Sequence, residues 1–177
     1  MNLDGGVHIV PLPGVAGRLW LCGKHAIAPD VESMLGRTAS SHVVCLVQRH
    51  ELEDRYDPYL EWLDAATVDG RATWFPIHDL SAPNHEHFSP LVHDVSDRLA
   101  SGTSVVVHCA AGKGRAGTLA VALCLVAGMS LDEAMNHVRL HRPGAGPEVG
   151  DQLALVASFG AGLHAAVETG ERRDREK

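Results

Sequence analysis

No stretch of this 177-residue chain approaches the ~20 apolar residues that a helix needs to cross a bilayer, so a membrane span is not expected. The first ten residues also lack the apolar core of a secretory signal, because Asp4, Gly5 and Gly6 interrupt them. Cationic charge is scarce: 15 Lys and Arg stand against 22 Asp and Glu, a formal net charge of -7. Nucleic acid and anionic membrane surfaces both need clustered Lys and Arg, so neither is expected as the main partner. The four cysteines, Cys22, Cys45, Cys109 and Cys124, show no metal or redox spacing, which suits a reducing, cytoplasmic compartment. Among the 12 histidines the pairs His85/His87 and His137/His141 have no third ligand in a partner motif, so no metal site is expected. Repeats and low-complexity segments are missing as well. What is there, 45% hydrophobic and 21% charged residues, suits one globular domain over residues 1–168, expected to be monomeric, followed by a charged, frayed tail at 169–177.

The most informative stretch runs from Val105 to Thr118. Val105, Val106 and Val107 read as a buried strand, and the apolar run from Leu119 to Ala127 suits a buried helix. The loop Cys109–Gly114 therefore joins a strand end to a helix start. There, successive backbone N–H groups and the positive end of the helix dipole converge on one concavity that favours anions. Cys109 at the strand end faces those donors, which stabilise an anionic sulfur and make it the candidate nucleophile. Arg115 lies in the first turn of the helix, where its planar fork can bind two oxygens of a phosphate at once. Gly112 and Gly114 permit the unusual φ angles and close approaches that such a ring of donors requires. Cysteine, arginine, histidine and two glycines at these spacings arise by chance in about one chain in 10⁵ at average residue usage. A structural glycine-rich turn holding a buried cysteine is the plainer alternative.

His108-Cys109-Ala110-Ala111-Gly112-Lys113-Gly114-Arg115 resembles the His-Cys-x5-Arg signature of cysteine-dependent protein tyrosine phosphatases, and the chain length suits their small dual-specificity branch. Gly17-Arg18-Leu19-Trp20-Leu21 is similar to that family's entry strand, Phe75-Pro76-Ile77-His78-Asp79 to its general-acid segment, and Val138-Arg139-Leu140-His141-Arg142-Pro143-Gly144 to a recurring late helix end. The resemblance implies a single α/β domain with a central, largely parallel sheet flanked by helices. It also implies a phosphomonoester hydrolase that needs no cofactor and acts on a phosphorylated protein or a small phosphomonoester. Ala110, Ala111, Gly112, Lys113, Gly114 and Arg115 would hold the phosphate, and His108 would fix the cysteine loop. Gln152 resembles a glutamine that some members use to position the attacking water, and it equally suits an exposed helix residue. One position departs from the pattern. Ala116 replaces the usual Ser or Thr after the signature arginine, and Thr118, two residues on, faces elsewhere on a helix, so hydrolysis of the intermediate is expected to be slow.

Earlier in the chain, Val7–Leu12, Arg18–Cys22 and His42–Val47 read as strands and Asp30–Leu35 as a short helix. Cys45 reads as core, and Cys22 as a residue at the end of a strand, with a thiol able to protect Cys109 by disulfide formation as its functional alternative. Glu51–Ala66 reads as a surface helix that Pro58 caps or breaks, and 72–77 as the strand that delivers Asp79 to the same sheet edge as Cys109. Asp79 is the candidate general acid, with an Asx-turn or helix-cap role as the alternative. Asp94 and Asp97 fall in a helix expected from Pro90 to Ala100, with Ser89 as its N-cap, and are expected to be solvated. Ser130-Leu131-Asp132-Glu133 is a capping box opening a helix that ends at Arg142, and a last helix is expected from about Gly150 to Ala166. Other classes stay open: a phosphate-binding pseudoenzyme, favoured by Ala116; a sulfur-transfer or arsenate-reducing enzyme, disfavoured because Asp79 precedes Cys109; and a phosphoinositide or inositol phosphate phosphatase. The cysteine loop resembles that of the lipid-phosphatase tumour suppressor, which has two lysines where Ala110 leaves only Lys113.

Overall fold

A computed structural model describes residues 2–3 and 6–175. Its centre is a six-stranded sheet of order β1-β2-β3-β6-β4-β5, formed by Asn2–Leu3, Val7–Val10, Leu19–Gly23, Val105–Cys109, His42–Cys45 and Ala72–Trp74 in that spatial order. The four strands β3, β6, β4 and β5 run parallel, and β2 and β1 add an antiparallel hairpin at one edge. Among the described residues seven helices flank the sheet: α1 Lys24–Ile27, α2 Val31–Thr38, α3 Asp57–Val68, α4 His85–Ala100, α5 Gly114–Val126, α6 Leu131–His141 and α7 Gly150–Arg175. The largely parallel α/β sheet expected from the sequence is therefore present. Among the described residues no helix is long and apolar enough to cross a membrane.

The inner strands β3, β6 and β4 are buried along their whole length, which is why they read as largely apolar runs rather than alternating ones. Helix α5 is buried from Gly114 to Leu125, as its all-round apolar sequence demands. Cys22, Cys45 and Cys124 sit in the core as free thiols, and burial pushes each of them up to about 12.

Because β6 lies between β3 and β4, the carboxyl ends of the parallel strands converge. Gly23 pairs with Cys109 and Cys45 with His108. The loops that leave these ends share one edge of the sheet, where open α/β folds place their ligands.

Several boundaries differ from the sequence reading, each for a local reason. Helix α4 starts at His85, not at Pro90, because Asn84 is its N-cap and accepts from the His87 N–H at 2.9 Å. The added turn buries Phe88, and Pro90 is carried inside the helix. Asp94 and Asp97 are exposed on that helix as expected. The segment after β4 is not one surface helix but a 3₁₀ turn at Arg49–Glu51 followed by α3, with Pro58 in the first turn of α3. Helix α3 buries Tyr59, Leu60, Leu63 and Ala66. The backbone of α7 continues helical to Arg175, through most of the segment expected to be a frayed tail, and residues 176 and 177 lie outside the described residues. The Glu and Arg of that segment have good intrinsic helix propensity.

The cap position is testable. Asn84→Ala is expected to lower stability by about 1 kcal/mol in urea denaturation, while Ser89→Ala leaves the midpoint within error. The reverse pattern would place the helix start at Pro90.

Candidate active site

The loop from Cys109 to Arg115 is shaped from outside, by donors that take its carbonyls. The Ala110 carbonyl accepts from the Lys24 N–H at 3.2 Å, and that of Lys113 from the N–H groups of Gly117 and Gly146 at 2.7 and 3.4 Å. The Ala111 carbonyl accepts from Arg142 Nη2 at 2.8 Å, that of Gly112 from Arg142 Nε, and that of Gly114 from the Thr118 hydroxyl at 2.8 Å. Five consecutive carbonyls are thus turned outward. A trans peptide sets its N–H opposite its C=O, so the amides from Ala111 to Arg115 point away from these donors. Gly112 makes the bend possible: its φ is +70°, and a Cβ there would collide with the Cys22 carbonyl.

Arg142 is the main anchor of this arrangement. It is 5% exposed, and its Nη1 also donates to the Gly6 and Leu21 carbonyls at 2.6 and 3.3 Å. Burial pulls its guanidinium below the usual arginine value, against the opposing influence of Cys22 and Cys109. The sequence placed Arg142 only at a helix end. Its role became visible once the fold brought residues 6, 21, 111 and 112 around it.

Cys109, Ala110, Ala111, Gly114, Arg115, Asp79, Leu80 and Glu148 line one cavity of about 170 Å³. Cys109 is 3% exposed and stands at the end of β6, where the strand hands over to the loop. The structure therefore brings together the three side chains singled out as catalytic candidates. Gly112 packs against β3, and the Lys113 side chain runs beside Gly144; neither lines the cavity. His108 is fully buried beneath the loop, with Nε2 2.7 Å from the Tyr59 hydroxyl. Burial pushes its imidazole down to about 4, outweighing the Cys109 backbone contact, so His108 is neutral at physiological pH. A neutral, enclosed ring suits holding the loop rather than exchanging protons.

The guanidinium of Arg115 is held by two carboxylates. Glu51 grips it twice, at 2.7 Å to Nη1 and 2.9 Å to Nη2, and Asp79 Oδ1 stands 3.0 Å from Nη2. Nη1 also donates to the Ile77 carbonyl at 2.8 Å. The Arg115 and Glu51 side chains are 2% and 13% exposed, whereas Asp79 is 68% exposed. Burial alone would lower the Arg115 guanidinium; Glu51, Cys109 and Asp79 reverse this and raise it. Glu51 itself is fixed by a reciprocal cap, with the Gln48 N–H donating to its Oε1 at 3.0 Å, and Lys24 Nζ donates to its backbone carbonyl at 2.5 Å. The sequence reading missed Glu51. The signal was the Gln48-x-x-Glu51 spacing directly after β4, the neighbour of β6, which places an acid at the same sheet edge.

Asp79 is neither a helix cap nor a side-chain turn former here, since Asn84 caps α4 and Asp79 faces Arg115. The adjacent Leu80 has φ +52°, an uncommon angle for a leucine, and is exposed. Gln152 is not an exposed helix residue either. It is 1% exposed, its Oε1 accepts from the Glu148 N–H at 2.8 Å, and its Nε2 donates to the Ser81 carbonyl at 3.0 Å. It ties the Asp79 loop to the loop before α7 and lies outside the cavity lining. Ala116 is buried in the first turn of α5, and the Thr118 hydroxyl is engaged by the Gly114 carbonyl. Among the described residues no group of three or more His, Cys, Asp or Glu is placed to hold a metal ion.

Comparison with known proteins follows the same lines. The family model described as PTP-SAK, Swiss Army Knife protein, DSP-PTPase phosphatase domain, matches residues 25–147. Dual specificity protein phosphatase 1 of Arabidopsis thaliana is 38% identical over 65 residues, 36% of this chain and 33% of its own length. The match thus spans about a third of that curated relative. The crystal structure of Tk-PTP in the active form superposes with TM-score 0.67 at 25% identity, covering 90% of this chain and 99% of that one. PTPMT1 in complex with PI(5)P superposes with TM-score 0.71 over 92% of this chain and 99% of that one; at 16% identity the likeness is one of fold.

The Glu51–Arg115 pair gives a stability prediction. Burial alone would raise the Glu51 carboxyl, but Arg115, the Gln48 N–H and Lys24 together hold it below its ordinary value of 4.5. Its contribution is therefore complete above that value and is lost as pH falls through the lower folded-state pKa. Glu51→Gln, which leaves the buried guanidinium without its bidentate partner, is expected to cost about 3 kcal/mol at pH 7. The deficit should shrink as urea unfolding is repeated below about pH 4. A deficit that stays constant down to pH 3 would contradict the assignment.

Proposed function

The chain belongs to the DSP-PTPase phosphatase domain family, and we propose that it hydrolyses phosphomonoesters through a phosphocysteine formed on Cys109. The substrate class is a phosphorylated protein or a small phosphomonoester, with tyrosine or dual specificity. The observation that carries this reading is that Cys109, Arg115 and Asp79 line one cavity at the start of α5, with Asp79 Oδ1 3.0 Å from Arg115 Nη2.

In the first half-reaction the Cys109 thiolate attacks phosphorus and the ester P–O bond breaks. Asp79, protonated at that stage, gives its proton to the departing oxygen. The amides from Ala111 to Arg115 and the Arg115 fork hold the three equatorial oxygens as charge redistributes. Asp79 must leave Arg115 Nη2 when the phosphate arrives, because both compete for the same donor. The exposure of Asp79 and its position in a loop allow that movement. In the second half-reaction a water oxygen attacks phosphorus, the S–P bond breaks, and Asp79 takes the proton. Glu51 positions Arg115, Arg142 and His108 position the loop, and Gln152 positions the segment that carries Asp79. Ala116 supplies no hydroxyl to ease departure of the thiolate, which favours a slow second half-reaction.

Cys109→Ser is expected to abolish turnover of an aryl phosphate while inorganic phosphate still binds in a calorimetric titration; retained turnover would mean that another nucleophile operates. Asp79→Asn is expected to reduce kcat by about 10²-fold or more on alkyl phosphates and far less on esters with good leaving groups. Equal losses on both would remove Asp79 from the acid role.

A further inference from the structure

The cavity contains a carboxylate that the proposed hydrolysis does not use. Glu148 stands among the residues lining it, beside Cys109, Arg115 and Asp79. Its Oε2 lies over Gly114, so closely that a Cβ at that position would collide with the carboxylate. Its backbone is fixed rather than trailing. The Glu148 N–H is held by buried Gln152, and the Gly146 N–H of the same loop donates to the Lys113 carbonyl. Gly146 also packs against Gly117 of α5 with no room for a side chain between them. Among the described residues no Lys, Arg or His forms an ion pair with Glu148. The Lys113 ammonium, adjacent in sequence to Gly114, is turned toward Gly144 and does not line the cavity.

Glu148 is exposed, so its carboxylate stands at the open rim of an anion-binding bowl, where it repels every phosphate dianion that enters. The repulsion is strongest where the substrate brings further negative charge close to the rim, and at this exposed position it weakens with salt. Arg115 does not cancel it, because Glu51 grips both terminal nitrogens of its guanidinium whether or not Asp79 has moved away. A positive group carried by the substrate next to its phosphate does cancel it.

We propose that Glu148 is a specificity-determining residue that selects phosphopeptides with Lys or Arg beside the phosphorylated residue and discriminates against those with acidic neighbours. The inference rests on the hydrolase reading above and deepens it. No covalent step involves Glu148; it faces the flanking charge.

The test uses two phosphotyrosyl peptides that differ only in the residues on either side of the phosphotyrosine, Arg in one and Asp in the other. Affinities are measured with Cys109→Ser protein, and kcat/KM with the protein that retains its cysteine, both at low ionic strength. The Arg peptide is expected to be favoured by about tenfold or more, an advantage that shrinks in 0.5 M salt. In Glu148→Gln the ratio is expected to fall to about twofold, mainly through gain on the Asp peptide, with inorganic phosphate binding severalfold tighter. Glu148→Lys is expected to invert the preference. An unchanged ratio in Glu148→Gln, or the absence of any preference before substitution, would overturn the proposal. Absence of aryl phosphate turnover would instead count against the hydrolase reading, and the binding ratio in the Cys109→Ser background would still decide the role of Glu148. Thermal melts of each variant separate a selectivity change from loss of fold.

Discussion

The outward turn of five successive carbonyls, from Ala110 to Gly114, is the constraint on which the site depends. Backbone amides left facing inward need an anion or water, and backbone carbonyls left facing outward need donors. The protein meets the second need with side chains and amides drawn from the start of α1, from α5, from the end of α6 and from the loop before α7. The first need then becomes available for binding. Nothing in residues 109–115 alone enforces this geometry, and Arg142 makes the point. It reaches the loop from 30 residues downstream and ties it to the Gly6 and Leu21 carbonyls in the same fork.

Charge is arranged in the same indirect way. Arg115 is the cation of the bowl, yet its orientation is set by Glu51, whose own carboxylate is fixed by the Gln48 backbone. Asp79 shares the guanidinium from the exposed side. The alternation of carboxylate, guanidinium and carboxylate keeps a buried charge hydrogen-bonded while leaving one partner free to exchange. A lysine in place of Arg115 could not serve three acceptors in one plane.

Much of this was legible in the sequence, and what was not has a physical reason. The strand–loop–helix unit around Cys109 and the capping box at Ser130 are local patterns, and both appear where the residues placed them. Placing Asp79 at the same sheet edge as Cys109 needed only the rule that loops after parallel strands share one edge. Glu51, Arg142 and Glu148 are different. Each acts across the fold, and no spacing to Cys109 marks them. For Gln152 the exposed-residue alternative fails for a related reason: an amide on a helix reads as solvent-facing unless the two loops it bridges are known. The start of α4 was misplaced because Pro90 is a conspicuous helix-start signal, and Asn84 with the burial of Phe88 outweighs it.

The strand that carries Cys109 is the last of the six to be made, yet it lies between two that precede it by dozens of residues. Until it inserts, β3 and β4 present bare edges to each other and to any other chain nearby. Assembly therefore waits on contacts of large sequence separation, the kind that form slowly and leave partly built chains prone to associate. The reactive loop comes into existence only with that final insertion. A ribosome-bound fragment ending before the centre of the sheet would carry neither the chemistry nor a closed sheet.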